Sequence, residues 1–203
     1  MSYPSSMPAV FTHMRILPAL FCAAAVLAAA DKPQFTKDGE LVRPTNYREW
    51  IFLSSGLGMT YGPNAPAPGA PLRFDNVFVN PPAYRQFLKT GTWPDGTIML
   101  LEIRASESKG SINQHGQFQT GPVALEAHVK DSRRFPNNNG WAFAGFNEKD
   151  GQFAASGKII PPGNRCEECH SKNGAVDSTF VQFYPDLIPV AKQRGTWKIT
   201  PAQ

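Results

Sequence analysis

The sequence predicts an α+β fold, mainly antiparallel β-sheet with a few short helices. Its 19 prolines and 17 glycines are scattered along the chain, and they break it too often for the long heptad patterns of a helical bundle. Where apolar residues recur regularly, the period is mostly two, which is typical of strands that bury one face. These two observations together favour a sheet as the main element.

Four segments are predicted to be strands, because their apolar residues alternate or form short runs bounded by turn residues: 72–79, 97–104, 123–130 and 141–146. A further short apolar run at 50–53 is followed by Ser54–Gly58, whose glycines predict a loop.

Helices are predicted in two places. Residues 80–91 carry Asn80 as a candidate N-cap, prolines in the first turn and Gly91 just past the end, which is the order expected of a helix of about three turns. The tail from Thr179 to Lys192 mixes helical spacing with two prolines, so short helices are expected there.

The first 30 residues are predicted to be an export signal. An almost wholly apolar run from Ile16 to Ala29 follows Arg15 and ends in an A-x-A pattern, which predicts cleavage after Ala30. The alternative is an uncleaved membrane anchor, but the run is shorter than the ~20 residues that span a bilayer. Residues 1–13, which precede Met14, lack the positive charge of an n-region, so Met14 is a second candidate for the start of translation.

Residues 31–203 are therefore expected to form a single domain without a membrane span, in the periplasm or otherwise exported. The net charge of +4 is spread along the chain with no Lys/Arg block and no nucleic-acid motif, so no nucleic-acid partner is expected. A weakly basic surface of this kind is compatible with an acidic redox partner.

The chemistry of the chain is predicted by one pentapeptide, Cys166-Glu-Glu-Cys169-His170. In the C-x-x-C-H pattern the two cysteines form thioether bonds to one haem and the histidine ligates its iron. A thioredoxin-like redox pair would need a surrounding βαβ pattern, and a zinc site would need a fourth ligand, for which only His115 and His128 are obvious donors. A disulfide is the remaining alternative in an exported protein. The pattern favours one covalently bound haem c.

The sequence contains several candidates for the ligand on the other side of the iron. Residues 171–203 contain neither Met nor His, which disfavours the small helical cytochromes c whose methionine ligand lies downstream of the haem motif. Candidates upstream are Met59, Met99, His115 and His128. Each has an ordinary core, loop or surface interpretation, so a five-coordinate iron with an open site is favoured.

The chain also resembles the cytochrome P-460 family over most of residues 31–203. Besides the haem motif, the segments that carry this resemblance are 47–50 (YREW), 76–81 (NVFVNP), 93–97 (WPDGT), 128–131 (HVKD) and 140–143 (GWAF). The resemblance implies a dimeric, cytochrome P-460-like antiparallel sheet with a five-coordinate c-haem, sometimes cross-linked to a lysine, that oxidises hydroxylamine. The same family includes the cytochromes c-prime-beta, which lack the cross-link, carry phenylalanines over the distal face and bind nitric oxide.

Site residues follow from the resemblance. The cross-linking lysine is expected on strand 97–104, which has none; Leu101 or Ile103 takes its position. Hydroxylamine oxidation also needs a general base, for which Glu102 and Glu126 are the candidates. Phe74 and Phe78 are the candidates for a distal cap.

The sequence is compatible with three functions. The first is an oxidoreductase of hydroxylamine or nitric oxide that passes electrons to a partner cytochrome. The second is a protein that binds the small nitrogenous ligand nitric oxide, which the absence of the lysine favours. The third is a periplasmic electron-transfer cytochrome with a second axial ligand.

Overall fold

A five-stranded antiparallel sheet forms the centre of the computed structural model, which describes residues 31–60 and 69–198. The predicted export signal, residues 1–30, lies outside these ranges. The strands follow one another in space as they do in sequence: β2 (Ile51–Leu57), β3 (Arg73–Val79), β4 (Ile98–Glu107), β5 (Phe118–Lys130) and β6 (Trp141–Phe146). The expectation of an α+β fold made mainly of antiparallel sheet is confirmed.

Smaller elements surround this sheet. Strand β1 (Leu41–Val42) pairs with β9 (Ser156–Gly157), and β7 (Glu148–Lys149) pairs with β8 (Gln152–Phe153). The helices are α1 (Pro81–Thr90), α2 (Arg165–Asn173) and α3 (Ile188–Gln193), with 3-10 turns at Tyr47–Glu49, Pro136–Asn138 and Val181–Phe183. No helix within the described ranges is long and apolar enough to cross a membrane.

The sheet is covered on both faces, which explains why its central strands are rich in Val, Leu and Ile. One face packs Val79, Met99 and Trp141 against α1 and the C-terminal segment. The opposite face packs Leu100 and Leu125 against the N-terminal segment that precedes β2. Neighbouring residues of one strand therefore face two different cores.

Two local expectations were only partly right. Segment 54–58 is not a loop: β2 continues through Leu57, because its backbone pairs with β3 and a bulge between Phe52 and Ser54 adjusts the register. Helix α1 begins and ends as predicted, with Gly91 left-handed at φ 73°, but the Asn80 side chain does not cap it. Its amide instead joins two loops, donating to the Asp31 and Gly96 carbonyls and accepting from the Ile98 N–H.

Candidate haem site

Helix α2 places the three residues of the haem motif on one face. Its N-cap Asn164 accepts a hydrogen bond from the Glu167 N–H at 3.0 Å, so the helix begins just before the first cysteine. Residues three and four apart are neighbours on a helix surface. Cys166, Cys169 and His170 therefore point together toward the sheet.

Between α2 and the sheet lies a cavity of about 400 Å³. Its walls are largely apolar. From the sheet, the residues that line it are Ser54, Gly56, Asp75, Val77, Met99, Leu101, Ile103, Glu126, Ala127, His128 and Phe143. Facing them are the three motif residues together with Arg165, Phe180, Phe183 and Tyr184. Such a lining is typical of a pocket that buries a large, mostly apolar group.

The imidazole of His170 has the orientation and tautomer that an iron ligand needs. Its Nδ1 lies 3.0 Å from the carbonyl oxygen of Ser178. A carbonyl can only accept, so Nδ1 carries the proton and Nε2 keeps a free lone pair. Burial lowers the pKa of His170, although the bond to Ser178 opposes this, and the ring is held neutral between Phe180 and Phe143, at centroid distances of 4.2 and 4.9 Å.

Both cysteines are free thiols on the cavity wall. Burial, and next the negative charge of Glu126, raise the pKa of Cys166, so this thiol is protonated and not poised for metal binding. In the described parts of the chain no three His, Cys, Asp or Glu side chains are grouped to hold a metal ion. Two thiols and a free imidazole lone pair on one wall of an apolar cavity fit a haem c better than a zinc ion or a disulfide.

The cavity also contains two acidic side chains, which come from strands on either side of β4. Asp75 is 8% exposed, whereas Glu126 is open to the cavity. Partial desolvation by the surrounding protein, and next the charge of Asp75, raise the pKa of Glu126. A carboxyl group with a raised pKa exchanges protons closer to neutral pH than an ordinary one.

Glu102, the other candidate base, faces away from the cavity. It is 1% exposed and lies in the opposite core, where it accepts hydrogen bonds from the Tyr47 hydroxyl at 2.8 Å and from Arg104 at 3.2 Å, and pairs with Arg48. Burial, then the bond to Glu102, raise the pKa of Tyr47 to about 12. This corrects the expectation for Glu102, which cannot reach a ligand on the other side of the sheet.

The two phenylalanines predicted as a distal cap are also on this opposite face. Phe78 packs edge-to-face on Tyr47 and Phe52, each at a centroid distance of 5.6 Å. Phe74 pairs with Arg104 across the sheet and so shares that side. The expectation of a cap made by Phe74 and Phe78 is corrected for the same reason as that of Glu102.

The wall where the family's lysine is expected contains none. Strand β4 presents Met99, Leu101 and Ile103 to the cavity, and the described lining residues include no lysine. Lys130 lies outside this lining, in an ion pair with Asp177.

Of the candidate second ligands, Met59, Met99 and His128 line the cavity, whereas His115 is an exposed residue of the β4–β5 connection. The His128 ring stacks on Phe143 at 4.2 Å and lies edge-to-face with His170 at 4.7 Å. Neither of its nitrogens has a hydrogen-bond partner within the described residues, and burial holds its pKa well below the usual value.

Sequence reasoning missed several residues of this site. Ser178, Phe143 and Phe180, which surround His170, were not singled out. Phe143 could have been found, because it lies two residues after Trp141 on a predicted strand and so shares its face. Ser178 belongs to no pattern that marks it. Asp75 follows Phe74 on the predicted strand 72–79 and so belongs to the other face of that strand, but its place in the cavity follows only from how the strands pair.

Fold and site together define a cytochrome-type haem protein built on an antiparallel sheet. The chain belongs to the Cytochrome P460 family, whose model matches residues 44–181, from just before β2 to just beyond α2. Membership implies that the protein is a cytochrome that binds haem c. No curated protein shows significant similarity to the chain.

Proposed function

We propose that this protein is an exported monohaem c-type cytochrome whose five-coordinate haem binds or converts small nitrogen species such as nitric oxide and hydroxylamine. One observation carries the proposal. The apolar cavity has Cys166, Cys169 and the free lone pair of His170 on one wall, and on the other a sheet whose described lining residues include no lysine.

The residues of the motif have separate roles in this proposal. Cys166 and Cys169 hold the haem by thioether bonds, and His170 binds the iron through Nε2 while Ser178 fixes its tautomer. When bound, the haem supplies an open coordination position and a site for electron transfer. The apolar strand residues would exclude water from the cavity.

Glu126 is the candidate proton acceptor, because it is the predicted base that lines the cavity. Hydroxylamine loses protons together with electrons when it is oxidised, so its conversion needs a base within reach and a redox partner such as another cytochrome. Binding of nitric oxide needs neither. The lysine-free wall favours nitric oxide binding, while Glu126 and Asp75 keep an oxidoreductase activity open as an extension of the same site.

An electron-transfer cytochrome is the second candidate function. It is favoured by one observation: Met59 and Met99 both line the cavity, and a thioether is a common second ligand in such cytochromes. His128 is a weaker candidate, because its ring touches that of His170.

The test is an optical spectrum of the purified ferrous protein, alone and after addition of nitric oxide, with intact-mass measurement of the same sample. We expect a high-spin spectrum that nitric oxide changes, and a mass equal to the chain plus one haem. Variants Met59→Leu and Met99→Leu serve as controls and should leave the spectrum unchanged. A low-spin spectrum that nitric oxide does not move, and that becomes high-spin in one of these variants, would favour electron transfer.

Export, the partners and the oligomeric state belong to the same proposal. Export follows from the predicted signal and is usual in the family. A homodimer rests on the family resemblance, and light scattering of the haem-loaded protein tests it: a mass of one chain would exclude the dimer. Mass spectrometry of the secreted protein would show whether the chain begins at Asp31.

A further inference from the structure

The carbonyl group that orients His170 belongs to an unusual turn. Residues 176–179 form a tight turn closed by hydrogen bonds between Val176 and Thr179 in both directions, at 2.8 and 3.4 Å. Its two central residues, Asp177 and Ser178, are left-handed, with φ values of 48° and 58°. Turns of this kind normally carry Asn-Gly, because two successive positive φ angles strain most other residues. Such a turn persists only where its surroundings hold it.

Three side chains hold this turn from the sheet side. Lys130, at the end of β5, forms an ion pair with Asp177 and also donates to the Trp93 carbonyl at 2.8 Å. The indole N–H of Trp141 donates to the second oxygen of Asp177 at 3.3 Å, and that of Trp93 to the Thr179 hydroxyl at 2.9 Å. The ion pair is largely buried, with 15% and 21% of the two side chains exposed, so solvent screens it less than a surface pair.

On its other side the turn is pressed against α2. The N–H of Gly174 closes the helix on the His170 carbonyl at 2.9 Å. A Cβ atom at Gly174 would lie 2.7 Å from that carbonyl oxygen and from the Thr179 nitrogen, so helix and turn meet with no space between them. A shift of the turn is therefore passed on to the backbone next to His170.

We infer that Lys130 and Asp177 are positioning residues for the axial histidine: their ion pair holds the strained turn, and the turn holds the Ser178 carbonyl against Nδ1 of His170. The inference rests on the proposed role of His170 as iron ligand. A hydrogen bond from the far nitrogen raises the basicity of a ligating histidine and fixes its ring plane. Loosening the turn should therefore weaken the bond between histidine and iron.

The experiment measures the iron–histidine stretching band by resonance Raman spectroscopy, and the midpoint potential, in the ferrous haem-loaded protein. In Lys130→Met and Asp177→Ala we expect the band to move to lower wavenumber and the potential to rise. A less basic ligand donates less charge to the iron, so it stabilises the ferric state less than the wild-type histidine does. Lys130→Arg keeps the charge and should restore the wild-type band. Asp177→Asn keeps the acceptor for Trp141 and tolerates a positive φ, so it serves as the milder variant if the others fold poorly.

Asp95→Asn is the matched control. Asp95 anchors another turn, with bonds from the N–H and hydroxyl of Ser132, and no hydrogen bond or ion pair among the described residues joins it to residues 176–179. It should lower the melting temperature without moving the band. The inference is overturned if Lys130→Met and Asp177→Asn lower the melting temperature but leave band and potential at their wild-type values. Failure of the proposed function would look different, since the wild-type protein itself would then lack an iron–histidine band.

Discussion

Replacing Glu102 by Gln should destabilise the protein and leave its ligand chemistry unchanged. The carboxylate is 1% exposed and accepts from the Tyr47 hydroxyl at 2.8 Å and from Arg104 at 3.2 Å. A hydrogen bond to a charged group contributes about 1.5–3 kcal/mol. Arg48 is 58% exposed, so its ion pair adds little, and the partly buried Arg104 adds up to about 1 kcal/mol.

Because Gln keeps one acceptor, part of this stabilisation remains, and we expect a loss of about 2–3 kcal/mol in the free energy of unfolding. For a domain of this size that corresponds to a fall in melting temperature of about 4–12 °C. Urea unfolding should show a lower midpoint with an unchanged slope. The pH dependence of nitric oxide or hydroxylamine binding, followed by the optical spectrum, should equal that of the wild type.

Glu126→Gln is the matched variant on the other face of the sheet. Its side chain is open to the cavity, so the change in stability should stay within about 0.5 kcal/mol. The raised pKa of Glu126 means that the group takes up a proton at a higher pH than an ordinary glutamate, and Gln should abolish this component of the pH profile. If Glu102→Gln altered the profile while Glu126→Gln altered only stability, the assignment of the two acids to the two faces would be refuted.

Three further predictions concern Tyr47, Gly174 and His128. The pKa of Tyr47 is raised to about 12 in the folded chain, so the unfolded chain loses its proton first and stability should fall from pH 10 through about pH 12; unfolding measured against pH should show a shallower fall in Tyr47→Phe, and an identical fall would contradict this. Gly174→Ala forces a Cβ against the backbone of Thr179 and should cost about 1–3 kcal/mol in thermal unfolding, so a variant as stable as the wild type would show that the contact relaxes. His128→Phe removes two buried nitrogens that have no hydrogen-bond partner among the described residues, and it should raise the free energy of unfolding by about 1–2 kcal/mol with an unchanged optical spectrum, whereas loss of a low-spin spectrum would identify His128 as an iron ligand.

The sequence predicted the strands and their faces well, because apolar alternation is a local property of the chain. Residues 72–79 and 123–130 alternate as expected, and the structure places their two faces in two different environments. The haem motif could be recognised without knowledge of the fold, since spacing and residue type alone define its chemistry. The bulge in β2 was not predictable, because Ser54-Ser55-Gly56 has no strand propensity and is held only by pairing with β3.

Pairing also explains why the two candidate acids could not be separated from sequence. Glu102 and Glu126 each alternate with apolar neighbours, so each has a buried and an exposed interpretation. Only the register decides: Glu102 lies opposite Leu125, and Glu126 lies opposite Leu101. Directly paired residues share a face, which puts the two acids on opposite sides of the sheet. The turn at 176–179 was missed for a related reason, because the pair Asp177-Ser178 does not predict two positive φ angles from its residue types.

The register of β4 connects the two faces physically. Leu101 lines the haem cavity and Glu102, one residue later, belongs to the buried cluster with Tyr47 and Arg104. A slip of one residue would turn every side chain of the strand to the other face and bring a carboxylate into the cavity. Apolar residues alone resist such a slip weakly here, because both faces of β4 are apolar around this point. The Glu102 carboxylate finds its partners on one side of the sheet and not on the other. The native register is therefore much lower in free energy than a register shifted by one residue. We therefore expect the Glu102 cluster to take no part in the haem chemistry, and yet to hold the register that keeps the β4 side of the cavity apolar.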